Sequence, residues 1–400
     1  MKKNKNMWIL MLGILGAELG MWLGLIGNLE FLQSNVKSSF IQSLILIIGS
    51  IAGLLSGPLV GNIIDVLNKK LVLIIAGLIR LIGVLFMLLA IGTESILWML
   101  ISMLSIGIAS SFYFPGIQAI VPLIIKNDDD LMEANVLQMN IMTLARIIGT
   151  ALAGVLLLII SLKQVYIYSF IGYLILLLST FFLNFEEEKR RHEKGYSKEK
   201  GKFRIIFPVI KSKPEVFRTL ILSIIPFVFI SGFNLIVIEI SNIQQNPAIK
   251  GLLYTVEGLS IIVTGFLVKY LVKSRNIMNS IILSCVLILI SQLSLFFSSV
   301  KFIPFMSFFI FGVSCGLFMP LSATLYQKQI SKEFHGRFFS FNRVFQTGLG
   351  QISLLLIGAG LDGLGLPVMM LVLGMISFIV VIYVTTVIPL KHKKIDQVIS

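Results

Sequence analysis

Two carboxylates and two guanidinium groups stand where charge is expensive. Glu18, Glu257, Arg80 and Arg146 each lie inside a long apolar run. At the centre of a membrane helix an ionisable side chain costs about 2.5 to 3.5 kcal/mol on insertion scales, so its presence points to function. A carboxyl in that setting can bind and release a proton, the chemistry of proton coupling. Glu18 is the first candidate, and Trp22, four residues on, shares its helical face. The alternative for Glu18 is a structural hydrogen bond to a neighbouring helix. Glu257 is the second candidate, as a coupling group or as partner to a substrate cation or to Arg146. Arg80 and Arg146 are expected to be buried charge partners, with Asp65 and Glu18 as the available carboxylates.

Other chemistries lack their residues. There is no G-x-x-x-x-G-K-[ST] phosphate loop, no metal-ligand spacing and no nucleophile elbow. The reading is therefore not an enzyme, with no cofactor, no metal and no self-contained ATP-driven pump. His192, His335 and His392 all fall in polar segments, and Cys285 and Cys315 sit in apolar runs as small core residues.

The elements that must position these charges are dictated by composition. Of 400 residues, 56% are hydrophobic and only 13% charged, with a mean hydropathy of +0.96. A soluble domain carries about 25% charged residues. This chain cannot cover itself for water, so a lipid bilayer is its expected surround. A span needs about 20 mostly apolar residues. Twelve segments qualify, at 7–31, 39–64, 71–92, 96–123, 131–160, 165–185, 217–241, 249–273, 277–298, 302–327, 337–361 and 367–389. The runs are continuous rather than alternating, which selects helices over a barrel. The expected fold class is all-α integral membrane, in two six-helix halves at 1–185 and 216–400. The charged stretch 186–215 is a solvated linker between them. The amino terminus resembles a signal peptide but lacks a small-residue cleavage site, and reads as the first span.

Orientation follows the lysines and arginines. With the amino terminus inside, the exterior side holds only Lys37, Lys163, Lys250 and Lys301 of 33 basic residues. Both termini are thus expected in the cytoplasm of a cell membrane, and residue usage looks bacterial. The net charge of +14 becomes a topology signal, not a nucleic-acid surface. Glu30 and Glu239 fall near exterior ends of spans one and seven, as interfacial groups or as a gate at a cavity mouth.

Small residues mark close helix contacts. Span two carries Gly49, Gly53, Gly57 and Gly61 at intervals of four, and span five carries Ala145, Gly149 and Ala153. Either static packing or a surface for rocking would use such ridges. A short internal echo, GPLVGNIID from Gly57 and GFLVKYLVK from Gly265, supports two repeated halves about a central site.

The stretch GPLVGNIIDVLNKK (57–70) resembles the signature loop of the major facilitator superfamily. Gly61, Asp65, Lys69 and Lys70 match its pattern, while Val66 and Asn68 depart from it. LVLIIAGLIRLIG (71–83), FPGIQAIVPLI (114–124) with LMEAN (131–135), and HGRFFS (335–340) resemble the branch of macrolide-efflux proteins and catecholate-siderophore exporters. In span five, ARIIGTALAG keeps Gly149 and Gly154 of the exporters' motif, but Thr150 replaces its proline. The resemblance implies a cytoplasmic gate at Asp65, Lys69, Lys70 and Arg337. It also implies a cavity lined from spans one, four and seven, with Trp22, Phe112, Tyr113, Phe233 and Asn234 as candidates.

The expectation is a monomeric secondary transporter that carries a small-molecule substrate by alternating access, driven by protons or another ion gradient. Efflux of a hydrophobic or amphiphilic molecule such as a drug or macrolide comes first. Movement of a specific metabolite or siderophore, and a non-transport immunity or assembly role on the same fold, stay open.

Overall fold

The computed structural model describes residues 4–49, 51, 68–125, 128–185, 206–272, 276–331 and 334–387. No strand occurs among them. The helices are α1 (Lys5–Asn35), α2 (Ser39–Gly49), α3 (Lys69–Thr93), α4 (Ile96–Ile124), α5 (Asp128–Ile159) and α6 (Leu162–Phe182). After the linker come α7 (Ile206–Ser212), α8 (Pro214–Leu222), α9 (Ile224–Gln244), α10 (Ile249–Leu271), α11 (Ile277–Ser294), α12 (Ile303–Gln329) and α13 (His335–Thr386).

Ten helical stretches are long and apolar enough to cross a membrane. One of them, Phe341–Thr386, is 46 residues long and holds two spans. They meet at Gly365, whose φ of 72° lies in the left-handed region that glycine adopts without penalty. Pro367 then opens the second half with its φ preset. The described part of span two is α2. The whole agrees with twelve spans. Large apolar side chains such as Leu97, Phe182, Phe266 and Ile159 are mostly exposed, a surface suited to lipid.

Local chemistry sets the helix ends. Asn4 caps α1 by accepting from the Met7 amide at 3.2 Å. Ser161 and Gln164 form a capping box that starts α6. The seventh span, Pro214–Gln244, is broken at Ser223 into α8 and α9. Pro226 explains the break: proline has no amide proton for the carbonyl four residues back. That carbonyl, of Leu222, instead accepts from the Cys285 thiol at 3.8 Å.

The described chain forms two compact units. The first comprises Met1–Glu193 and Val237–Thr255, and the second Lys194–Ile236 and Val256–Ser400. In the first, α1 lies along α6 so closely that a Cβ on Gly172 would stand 2.5 Å from the Gly16 carbonyl oxygen. Across the same seam Ser169 donates to the Gly20 carbonyl at 2.7 Å, and Tyr166 to that of Gly24 at 2.9 Å. In the second unit α11 packs on α12 and α13. Its core holds Phe229 and Phe233 against Phe308 and Phe311.

Candidate functional site

The first unit encloses a charged cluster. Arg80, on α3, is fully buried. Its guanidinium carbon lies 4.0 Å from the ring centroid of Tyr113 on α4 and 5.2 Å from that of Tyr173 on α6. Nη2 reaches Ser110 Oγ at 3.4 Å, while Nε and Nη1 have no hydrogen-bond partner among the described residues. Glu18, on α1, is 2% exposed, and the Arg80 charge acts on its carboxyl. Among the described residues its Oε1 also has no hydrogen-bond partner, nor has the Tyr113 hydroxyl. The aromatic faces steady the cation, and the acid and base are close enough to feel each other without a direct bond.

One turn along α1, Trp22 begins a second group. The Arg146 guanidinium lies 5.4 Å from its ring, and the Tyr254 ring is tilted against it at 6.3 Å. Gly149 lets the helices approach: a Cβ there would stand 2.9 Å from the Trp22 Cβ. The indole Nε1 is buried without a hydrogen-bond partner among the described residues. Both groups therefore hold buried polar atoms without a hydrogen-bond partner among the described residues.

Other expected residues fall elsewhere. Phe112 packs on Val72. Phe233 and Asn234 belong to the second unit, Phe233 in the phenylalanine core. Glu257 is 5% exposed on α10, where its backbone carbonyl meets α12 so closely that a Cβ on Gly312 would come within 2.5 Å. Lys69 opens α3. Lys70 donates to the carbonyls of Phe181 at 2.8 Å and Leu183 at 2.6 Å, closing the end of α6. Arg337 is in the first turn of α13, and its side chain lies outside the described residues, as do Gly53, Gly57, Gly61 and Asp65. Gly49 faces Met103, and Ala145 and Ala153 are buried in α5.

Sequence reading missed a third group. Lys250, assigned to the exterior side with the exposed lysines, is fully buried at the start of α10. It makes an ion pair with Glu30 at 2.7 Å and donates to Ser241 Oγ at 2.9 Å and to Gln33 Oε1. Glu239 accepts from Ser39 at 2.9 Å. The lysine stands on the edge of an apolar run, and nothing in one sequence says that its partner lies 220 residues earlier. Tyr173, the second ring on Arg80, was missed for the same reason.

The match to known proteins agrees with this architecture. Residues 10–353 match the family model described as Major Facilitator Superfamily. The chain belongs to that superfamily. No curated protein matches. Among solved structures, a mutant of the nucleoside transporter NupG is 15% identical with a TM-score of 0.77, over 96% of this chain and 100% of that one. A bacterial homologue of the iron transporter ferroportin, in an inward-facing state, is 14% identical with a TM-score of 0.74, over 96% and 100%. A POT family transporter in complex with 5-aminolevulinic acid is 13% identical with a TM-score of 0.71, over 96% of each. At these identities the likeness shows the fold.

Proposed function

We propose that this superfamily member is a proton-coupled exporter of a hydrophobic or amphiphilic small molecule, with Glu18 as the coupling carboxyl. The reading rests on one observation. Glu18 is almost fully buried in a membrane-spanning helix, yet one of its oxygens is unpartnered and its neighbour Arg80 is held apart from it. A carboxyl kept there for packing alone would be expected to close that bond. Trp22, Arg146 and Tyr254 supply an aromatic and cationic patch one turn away, in keeping with an amphiphilic substrate. Glu257 is a second coupling group. Both termini are cytoplasmic in this reading, supported by the distribution of lysine and arginine. The two halves, 1–185 and 216–400, would rock about the linker, with Asp65, Lys69 and Arg337 gating the inner side, while Lys70 holds the end of α6. The similarity of quoted sequence stretches to macrolide-efflux proteins and siderophore exporters supports the direction.

A second reading, permeation of a small polar metabolite, draws on the buried charges and on the solute named for the 5-aminolevulinic acid complex. One experiment separates the two. Accumulation of fluorescent dyes, macrolides and labelled polar metabolites is measured in cells with and without the protein, then with a protonophore. The export reading expects lower dye or macrolide accumulation, abolished by the protonophore and by Glu18→Gln. Unchanged dye levels with altered metabolite uptake would select the second reading, and retained uphill export in Glu18→Gln would remove Glu18 from coupling.

A further inference from the structure

The charged stretch 186–215 reads in sequence as a solvated linker, yet its last part is folded. Helix α7 buries Ile210, while Phe207 and Lys211, four residues apart and so on one side of the helix, are exposed. The Phe207 ring meets that of Phe341 edge-on at 5.3 Å, and Phe341 stacks on Phe345 at 6.2 Å. Helix α7 therefore lies against the first turns of α13. Gln329 Nε2 donates to Glu215 Oε2 at 2.7 Å, tying the end of α12 to the start of α8. One end of the second unit thus gathers the exposed cations Lys211, Lys213, Lys328 and Arg343. Among the described residues of that end Glu215 is the only acid, and it is already engaged by Gln329 and by the charge of Arg218. Beside the cations stand apolar side chains that the protein leaves uncovered: Phe207 is 53% exposed, Phe217 40% and Val344 58%.

We propose that this end of the second unit is a binding surface for anionic phospholipid, with the lysines and Arg343 holding headgroup phosphates while Phe207 and Val344 enter the acyl boundary. Apolar side chains this exposed at the end of a span suit the edge of a bilayer better than bulk water. The cations beside them repel one another, and a phosphate among them relieves that repulsion. Basic groups just outside a span are drawn to an anionic lipid surface, and the pull acts within about 10 Å. Lysine stems can lie along apolar surface while their ammonium groups reach the headgroups. Helix α7 supplies the geometry, because Phe207 and Lys211 sit on a packed helix and need little ordering when lipid binds. The inference depends neither on which molecule is carried nor on coupling at Glu18.

The test uses the full chain in phosphatidylcholine vesicles that carry a small share of photoactivatable phosphatidylglycerol, or of the phosphatidylcholine analogue with the same chains. Crosslinks are mapped by mass spectrometry to the segments 206–217 and 341–345. The parent should favour the anionic lipid there by about tenfold or more, and added salt should reduce the preference, since exposed charges are screened. Lys211→Gln and Arg343→Gln should each lower it by about fivefold. Lys5→Gln, an exposed lysine at the start of α1, should leave it unchanged. Phe207→Ser should lower the yield with both lipids. Arg343→Gln lies outside α7 and decides the matter if a variant of that short helix fails to reconstitute. Equal crosslinking of the two lipids in the parent, or a preference that survives removal of either charge, overturns the proposal.

Discussion

Arg80 stacks on Tyr113 with its guanidinium carbon 4.0 Å from the ring centroid, and both side chains are fully buried. With Tyr173 on the other helix, the arrangement fixes the cation inside the first unit while leaving Glu18 its nearby counter-charge. The acid and the base should therefore be energetically coupled. Arg80→Met, which strands Glu18, is expected to cost about 3 to 5 kcal/mol. Glu18→Gln combined with Arg80→Met should cost less than the sum of the single changes, because neither charge is then alone. Thermal unfolding of the four proteins in detergent measures the cycle. Strict additivity would mean that the two groups do not sense each other.

The α1–α6 seam makes a second, purely steric prediction. Gly172 stands where an added Cβ would meet the Gly16 carbonyl oxygen at 2.5 Å, too close for either backbone to stay in place. Gly172→Ala should therefore destabilise by about 1 to 3 kcal/mol, the usual range for overpacking. Gly92, with nothing near its Cβ position, is the matched control, and Gly92→Ala should leave the melting temperature within error or raise it. Equal behaviour of the two would remove close packing as the reason for Gly172 in the α1–α6 seam.

These two cases mark what one sequence can and cannot carry. The spans were legible because lipid demands about 20 apolar residues in a row, and the kink at Gly365 falls between the expected spans 337–361 and 367–389. Glu18 and Arg80 stood out because charge in such runs is costly. Their neighbours did not. Tyr173 and Lys250 acquire meaning only from residues far away in the chain, and spacing within one helix holds no record of that. The ridge of Gly13, Gly16, Gly20, Gly24 and Gly27 on α1 was overlooked in favour of span two. Glycine spacing marks a face but not what it faces.

A proline and a cysteine yield a third prediction. Pro226 removes the amide that would have bonded the Leu222 carbonyl, and the Cys285 thiol takes its place at 3.8 Å. Cys285→Ala leaves that carbonyl unsatisfied in an apolar interior and should cost about 1 to 3 kcal/mol. With Pro226→Ala in place the helix can close its own bond across Ser223, and the cysteine should matter less. Melting of the single and double variants tests this. If Cys285→Ala costs the same with and without Pro226, the thiol serves only to fill space.

Lys70 decides between two jobs for one residue of the signature-like stretch. Its amine is engaged with the Phe181 and Leu183 carbonyls at the end of α6, a place where a cation complements the helix dipole. Lys70→Met should thus lower stability by about 1 to 2 kcal/mol while transport per folded molecule persists. Asp65→Asn, by contrast, should reduce transport without preventing membrane insertion, because the gating role implied by the family resemblance needs the acid. Substrate flux normalised to protein in the membrane, measured beside the melting temperature, separates the two. Loss of flux in Lys70→Met at unchanged stability would return the lysine to the gate and make its hold on α6 a feature of one conformation.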